Sequence, residues 1–356
     1  MQRKTETMRE TRNAPPCYIG GMLVHINGQL VPVHEARVSA FDRGFLFADG
    51  IYEGLRSFNH DGERRLIAPE LHVRRMARGL ERCGIAYDPA KLLPITHELL
   101  RVNNLDDAFV YWQVTRGTPD LHGGPVRERV RVDNLQPTVM AYVKPIERLD
   151  VSRPEEARPA VKKASLQVDE RWLVGEVKSI SLLGNVLAAL AGVEASGIDG
   201  AAETILCRAM PDGTHVLSEG TYTNIALVIP KPGFGESERL REPLKTHEVL
   251  TPSLESTPIL NGVTRAAMLA LCPDIREARL TTRDLARCSE LLLLGTTTMI
   301  TSITHVDGRA IGTGAVGPVA MELSRFWARA LKNRDDLRAF PGVFEKPIAK
   351  PNTVVW

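Results

Sequence analysis

Clustered cysteines, long apolar runs and an excess of one charge are all lacking in this chain, and each absence excludes a class of protein. Its five cysteines are scattered and have no C-x-x-C spacing, so no disulfide framework, zinc site or other metal site is expected. No stretch reaches the roughly 18 apolar residues of a membrane span. The net charge of +2 gives no electrostatic basis for binding nucleic acid or a membrane. Unpaired thiols indicate a cytoplasmic location.

The chain of 356 residues divides at a segment rich in proline and charge. Residues 1–17 are charged, lack the apolar core of a secretory signal and are predicted to be a disordered leader. Residues 18–145 are predicted to form a small N-terminal α/β domain, 146–160 a linker, and 161–356 a larger C-terminal α/β domain. Strands and helices mix without a repeated βαβ period, which favours an α/β (α+β) two-domain fold.

Helical spacing of apolar residues and runs of β-formers predict the main elements. Helices are predicted in HVRRMARGLERCGI, PITHELLRVNN, SISLLGNVLAALAGVEASG (closed by Gly197), GVTRAAMLALC and VGPVAMELSRFWARAL. Strands are predicted in YIGGMLVHING, GQLVPV, AFVYWQVTRG, TVMAYVKPI, TNIALVIP and SELLLLGTT, with hairpins in ETILCRAM–THVLSEG and ITHVDGRAI. The segment PGFGESERLREPLKTHE is predicted to be a mobile surface loop.

Lys178 opens a run of small and apolar residues, EVKSISLLGNVLAAL, with no acidic residue in the next dozen positions. A lysine in a packed site loses its proton more easily and becomes an amine nucleophile able to form Schiff bases. The plain alternative is a lysine at a helix start with its ammonium group in water.

Three further segments point to one small molecule that carries a phosphate and a ring nitrogen. In ILNGVTRAAM, Gly262 allows a tight turn and the helix beginning near Thr264 offers N–H groups to an anion. In LLLLGTTTMI, a buried strand ends in Gly295 and three threonines, a common place for binding groups. In VLSEGTYTNIALV, Glu219 is predicted in a turn, where its carboxylate could hold a protonated ring nitrogen. Each also has a plain reading: a threonine N-cap, a polar strand edge and a turn glutamate.

Together with other motifs, these segments resemble the class IV aminotransferases. This family comprises the fold type IV pyridoxal-phosphate enzymes, including D-amino-acid transaminase and branched-chain aminotransferase. The resemblance runs from about Ile19 to Leu331. It rests, in order, on FADGIYEGLRSF, HVRRM, VYWQVTRGT, RWLVGEVKSISLLGNVLA, SEGTYTN, ILNGVTR and LLLLGTTT…ITHVDG.

The resemblance implies pyridoxal 5'-phosphate as cofactor and assigns roles to matching residues. Lys178 matches the catalytic lysine that forms the Schiff base and moves the α proton. Glu219 matches the acid that pairs with the pyridine nitrogen, and Arg75 the arginine that binds the phosphate. Leu260 matches the residue on one face of the ring, and Tyr222 stands where the family places a small residue on the other side. The remaining cofactor contacts implied by the resemblance are Val263, Thr264 and Thr296.

The implied reaction is a ping-pong transfer of an amino group between an amino acid and a 2-oxo acid. The substrate positions are less defined, because family members differ there. Tyr52 and Tyr111 match pocket aromatics, and Thr297 lies beside a matched cofactor residue. The candidates for binding the substrate carboxylate are Arg43, Arg56 and Arg116.

D-amino acids are the favoured substrates, although the motifs are mixed. VYWQVTRG and RWLVGEVKSISLLG look D-type, and Tyr-Glu-Gly-Leu-Arg56 looks like branched-chain or (R)-amine enzymes. The arginine that D-type members carry after the Arg-Gly turn is replaced by Leu121, and the histidine, His122, comes one position early. Branched-chain L-amino-acid or (R)-amine transfer, an aminodeoxychorismate lyase activity and a cofactor carrier without turnover stay open. The family also implies a homodimer with its active site at the subunit interface.

Overall fold

A computed structural model describes residues 21–130, 135–196 and 203–333. The predicted leader, the segment after residue 333 and the predicted cap Gly197 lie outside these ranges. The fold within them is mixed, with helices and strands interspersed along the chain, as the sequence predicts.

The strands of the described ranges are β1 (Leu23–Ile26), β2 (Gln29–Pro32), β3 (Gly50–His60), β4 (Glu63–Leu66), β5 (Ala108–Thr118), β6 (Gln136–Pro145), β7 (Ala160–Val168), β8 (Glu203–Ala209), β9 (His215–Gly220), β10 (Asn224–Pro230), β11 (His247–Pro252), β12 (Ile275–Ala278), β13 (Glu290–Gly295), β14 (Met299–Val306) and β15 (Arg309–Ala310). The α-helices are α1 (Arg43–Phe47), α2 (Pro69–Cys83), α3 (Leu92–Val102), α4 (Leu183–Ser196), α5 (Glu236–Arg241), α6 (Pro243–Thr246), α7 (Val263–Leu271), α8 (Thr282–Arg287) and α9 (Pro318–Lys332).

The strands form two sheets. The first has six antiparallel strands in the order β2-β1-β6-β5-β3-β4. The second has nine strands, β12-β11-β10-β13-β14-β7-β8-β9 with β15 beside β14, and it is mixed because β11–β12, β14–β7 and β7–β8 run parallel. The chain passes from the first sheet to the second between Pro145 and Ala160. The domain boundaries themselves stay a prediction.

The six-stranded sheet packs one face on helices and leaves the other for the cleft described below. Ile51 and Leu55 of β3 and Trp112 of β5 are buried with α2 and α3. Because side chains alternate along a strand, Tyr52 and Gly54 point to the opposite face. Helix α2 starts with Pro69 and ends at Gly84, whose φ of 64° suits glycine.

The nine-stranded sheet is buried on both faces, which explains the unbroken run of leucines in β13. Leu291 and Leu293 pack with Leu227 of β10 and with α8, whereas Leu292 and Leu294 pack with α7 and α9. A strand covered on both faces loses the polar alternation of a half-exposed strand. The predicted helices in this part of the chain, α7 and α9, are confirmed.

Three local predictions are wrong. The run after Lys178 does not start a helix at once, because Tyr52 N–H donates to the Lys178 carbonyl and Ile180 N–H to that of Gly50; α4 begins at Leu183. The predicted loop PGFGESERLREPLKTHE contains α5 and α6, and the Glu238 side chain caps α5 by accepting from Gly235 N–H at 2.9 Å. Glu219 lies in strand β9 rather than in a turn. None of the helices described is long and apolar enough to cross a membrane.

Candidate active site

A cleft of about 360 Å³ opens between the two sheets. One of its walls is the face of the six-stranded sheet that carries Tyr52 and Gly54. Residues from distant parts of the sequence line it together. The predicted site residues among them are Tyr52, Arg75, Lys178, Glu219, Tyr222, Leu260, Val263, Thr264, Thr296 and Thr297.

Lys178 reaches the cleft from an extended segment clamped to β3. The two main-chain hydrogen bonds of this segment to β3 place Lys178 beside Tyr52. Its Nζ lies 3.2 Å from the Tyr52 hydroxyl and 4.3 Å from the centre of the Tyr52 ring. The amine is half-buried. It has the position of a nucleophile or proton carrier, held on the rigid edge of a strand.

Glu219 presents a buried carboxylate with three donors around it. Oε1 accepts from Arg171 Nη1 at 3.0 Å, and Oε2 accepts from Asn224 Nδ2 and from the Leu260 N–H, each at 3.1 Å. Burial raises the pKa of Glu219, and the charge of Arg171 and the bond from Leu260 offset this only in part, so the pKa is about 7. A carboxylate has about four acceptor positions, so one remains for a cationic N–H.

The guanidinium of Arg75 is oriented from behind by a second buried glutamate. Its Nε and Nη2 donate to the two oxygens of Glu53, both at 2.7 Å, and its Nη1 donates to the Asn261 carbonyl at 3.1 Å. His72 Nδ1 adds a contact of 2.8 Å to Glu53. Burial alone would raise the pKa of Glu53, but Arg75 and His72 outweigh it and lower the pKa to about 2. Arg75 is therefore held at the cleft wall by a permanently charged partner.

The N-terminus of α7 opens directly onto the cleft. Gly262 precedes the helix, and no side chain caps it. A Cβ at Gly262 would collide with the Asn224 side-chain oxygen, so the close approach of this turn to β10 requires glycine. The uncapped N–H groups at Val263 and Thr264 and the positive end of the helix dipole suit a phosphate. This observation and the spare acceptor of Glu219 fit a cofactor with a phosphate and a ring nitrogen.

Tyr111, Arg56 and Arg116 do not line the cleft, and neither does Arg43. Arg116 pairs with Asp49 at 2.7 Å and also donates to the carbonyls of Gly84 and Cys83. Arg43 pairs with the same Asp49 at 2.9 Å.

Arg56 donates to the carbonyls of Glu147, at 2.6 Å, and Thr297, at 3.4 Å. The Tyr111 ring stacks between those of Tyr52 and Tyr142. The guanidinium groups of Arg43, Arg56 and Arg116 are thus engaged within the fold, and the three do not meet the expectation of a carboxylate binder facing the cleft of their own chain.

Three polar residues at or behind the cleft, Arg171, Asn224 and Glu53, were not among the site residues predicted from the sequence. Arg171 donates to Asp169 at 2.9 and 3.0 Å as well as to Glu219, and Asp169 also contacts Arg208 at 3.1 Å. Asn224 links Glu219 to the Leu260 carbonyl at 2.9 Å. The signals for Arg171 and Asn224 were their places in the motifs RWLVGEVK and SEGTYTN.

Comparisons with known proteins converge on one family. The family model for amino-transferase class IV matches residues 50–306. A D-alanine aminotransferase of Bacillus licheniformis is 32% identical over 304 residues, which cover 84% of this chain and 93% of the relative. A D-alanine aminotransferase of Staphylococcus haemolyticus is 30% identical over 318 residues, which cover 87% of this chain and 98% of the relative.

Branched-chain aminotransferases are among the solved structures with the same fold. The one from Thermoproteus uzoniensis with norvaline has a TM-score of 0.68 at 21% identity and covers 91% of this chain and 100% of its own. The T.th. enzyme with pyridoxamine 5'-phosphate has a TM-score of 0.66 at 22% identity and covers 88% of this chain and 95% of its own. At these identities the similarity concerns the fold alone.

Proposed function

Because the chain belongs to the class IV aminotransferases and is a pyridoxal-phosphate enzyme, we propose that it moves amino groups between D-amino acids and 2-oxo acids. The observation that carries the choice of D-amino acids is that the curated relatives, matched over 93% and 98% of their own length, are D-alanine aminotransferases. The branched-chain alternative has support from fold similarity, at 21–22% identity.

The residues of the cleft divide the work of holding the cofactor. We assign its phosphate to Arg75 and to the N–H groups at Val263 and Thr264, with Thr296 as a further contact. We assign its ring to the space beside Leu260, with the ring nitrogen facing Glu219. When bound, the cofactor supplies an electron sink for the carbon from which the proton leaves.

Lys178 is the proposed acid–base group. Its amine lies next to Tyr52 and reaches the same cleft as Glu219. An amine held in this position would take the α proton from the substrate, and the ammonium group so formed would be the acid that gives the proton back. The Tyr52 hydroxyl, 3.2 Å from Nζ, would hold the amine in place for both transfers.

A half-reaction panel tests the proposed substrates. The purified holoenzyme is mixed with D-alanine, D-glutamate and their L-enantiomers, and with L-leucine, and the visible absorption of bound pyridoxal phosphate is followed. We expect loss of this band with the D-amino acids. Conversion by L-leucine alone would favour the branched-chain alternative, and pyruvate release from aminodeoxychorismate would favour a lyase. A protein that retains its band with every compound would be a carrier. A Lys178→Ala variant serves as the inactive control.

We also propose a homodimer whose interface adjoins the cleft. Helix α4 and the segment before Lys178 expose large apolar side chains to solvent, and isolated chains rarely leave such a patch open. These side chains are Trp172, Leu173, Leu183, Val186, Leu187 and Leu190.

The four described cysteines are free thiols, and we propose a cytoplasmic location on that basis.

A matched pair of substitutions tests this interface. Leu187→Asp places a charge in the apolar patch, whereas Leu240→Asp changes an equally exposed leucine on α5, which does not line the cleft (58% and 64% exposed). Light scattering after gel filtration should show a dimer for the parent protein and for Leu240→Asp. Leu187→Asp should be monomeric. A Leu187→Asp dimer of unchanged strength would contradict the proposed interface.

A further inference from the structure

Tyr222 is a large aromatic residue that the core does not use. Its side chain is 64% exposed, yet it lines the cleft. Its neighbours Thr221 and Thr223 are buried. A tyrosine that projects from between two buried residues contributes little to folding, and its position therefore calls for another explanation.

The loop that carries Tyr222 is fixed on both sides by one buried carboxylate. Glu203 Oε1 accepts from the Thr221 N–H at 2.9 Å and from the Thr221 hydroxyl, and Oε2 accepts from the Thr223 hydroxyl at 3.0 Å. Asn185 Nδ2 of α4 donates to the Thr221 carbonyl at 2.6 Å. The backbone around Tyr222 is therefore held in place, and the phenol is presented at the mouth of the cleft from a rigid support.

The cleft has few uncommitted positive charges for a substrate carboxylate. Two guanidinium groups of the described residues line it, and both already face carboxylates: Arg75 binds Glu53, and Arg171 binds Asp169 and Glu219. The Tyr52 hydroxyl is engaged with the Lys178 amine. The donors that this chain still offers to a substrate carboxylate in the cleft are therefore neutral, such as hydroxyl groups.

The Tyr222 phenol has the protonation state of such a donor. The side chain is partly buried, which raises the pKa of Tyr222, and Glu203 and Tyr52 raise it further, so the hydroxyl keeps its proton at neutral pH.

We propose that Tyr222 is a specificity-determining residue whose hydroxyl donates a hydrogen bond to the α-carboxylate of the amino-acid substrate. The proposal rests on the proposed function in that it requires an amino acid as substrate. It does not depend on the configuration of that amino acid.

The test compares an amino acid with its amide, which has the same shape but no negative charge. The rate of loss of the visible band is measured against the concentration of D-alanine and of D-alaninamide. The parent holoenzyme should prefer D-alanine. Tyr222→Phe removes the hydroxyl alone and should reduce the acid-over-amide preference about tenfold, as expected for a hydrogen bond to a charged group, mainly by requiring more D-alanine for half-maximal rate.

Tyr142→Phe is the control, because it removes the same hydroxyl from a half-buried tyrosine that does not line the cleft. This variant should keep the parent preference. The proposal is wrong if Tyr222→Phe keeps the parent preference, which includes the case in which acid and amide slow equally. It is also wrong if Tyr142→Phe loses the preference to the same extent, or if the parent enzyme does not distinguish D-alanine from D-alaninamide.

Failure of the proposed function gives a different result. A parent enzyme that converts L-leucine but no D-amino acid would overturn the D-amino-acid proposal. The role of Tyr222 would then be tested in the same way with L-leucine and L-leucinamide. Failure of all amino acids and amides in the presence of a stable cofactor band would overturn both proposals together.

Discussion

Glu53 and Glu219 are two buried glutamates at the same cleft, and their pKa values shift in opposite directions although burial by itself raises both. Glu53 accepts two bonds from Arg75 and one from His72, and its pKa is lowered to about 2. Glu219 shares Arg171 with Asp169, and its pKa is raised to about 7. A buried carboxylate with its own bidentate guanidinium is permanently charged. The charge of a buried carboxylate that shares its guanidinium depends on whether a further cation lies next to it. This suits Glu219, which is assigned to face a cationic ring.

The largest expected effect is on stability at Glu53. Glu53→Gln keeps the shape but leaves the Arg75 charge buried without its counter-charge, so the free energy of unfolding of the cofactor-free protein should fall by about 3–5 kcal/mol. Urea unfolding measures it. The control is Glu248→Gln, which removes an exposed partner of Arg276 and should change stability by less than about 1 kcal/mol. If Glu53→Gln and Glu248→Gln lowered the free energy of unfolding equally, Glu53 would not be the counter-charge that Arg75 requires.

The next effect is on catalysis at Glu219. Glu219→Gln replaces the carboxylate that faces the ring nitrogen by a neutral amide, so kcat should fall by about a hundredfold or more because the charged ring is no longer stabilised. Steady-state kinetics with saturating cofactor measures this loss. The control is Glu290→Gln, another buried carboxylate, which caps α9 and does not line the cleft. If both variants lose kcat equally, the assignment of Glu219 fails.

Cofactor affinity should respond to Arg75. Arg75→Ala removes a charge-assisted phosphate contact and should weaken pyridoxal-phosphate binding by about 2 kcal/mol, or roughly thirtyfold. Equilibrium dialysis of the cofactor-free variant measures this affinity directly. Arg116→Ala, which removes a guanidinium paired with Asp49 away from the cleft, is the control and should retain parent affinity. Unchanged retention by Arg75→Ala would remove Arg75 from the phosphate site.

The smallest effect is a pH dependence, and its sign differs between the two glutamates. Below about pH 7, Glu219 of the cofactor-free protein is mostly protonated, so affinity for pyridoxal phosphate should fall about fivefold between pH 7 and 6 relative to Glu219→Gln. The ratio to the variant cancels the ionisation of the cofactor itself. A constant ratio across this range would contradict the raised pKa.

Stability should follow the opposite course for the two groups. The folded protein keeps a proton on Glu219 between its ordinary pKa of 4.5 and about 7, so the contribution of Glu219 to stability falls as pH rises through that range. The pKa of Glu53 is lowered, so its contribution is complete above about pH 4.5 and is lost as pH falls through about 2. Unfolding curves between pH 4.5 and 8 should show a loss of stability in Glu53→Gln that does not change with pH, whereas the difference between the parent and Glu219→Gln should change with pH. A Glu219→Gln difference that stays constant would contradict the raised pKa.

The features that could be predicted from the sequence are those set by residues close together in the chain, such as helix faces, helix starts and short motifs. The helical spacing of Met76 and Leu80 gives the buried face of α2, and Gly262 with Thr264 marks the start of α7. Motifs of the resemblance predicted Lys178, Glu219 and Arg75, and the structure brings all three into one cleft.

The partners of long side chains could not be predicted in this way. Arg116 meets Asp49 across 67 positions and Arg171 meets Glu219 across 48, and no local pattern reports which arginine is committed to the fold. Helix α5 was missed because it has few apolar residues. Its N-terminus is capped by one hydrogen bond, in which the Glu238 carboxylate accepts from the Gly235 N–H. The exposed position of Tyr222 likewise could not be predicted, because the loop around it is held by Glu203. This glutamate is buried and lies 19 positions earlier in the chain.

Trapping the bond between protein and cofactor tests the central claim most directly. Borohydride reduction of the holoenzyme fixes the cofactor to the lysine that holds it, and mass spectrometry of the digested protein identifies that residue. The account predicts a phosphopyridoxyl group on Lys178. The same group on any other lysine, or on none, would contradict it.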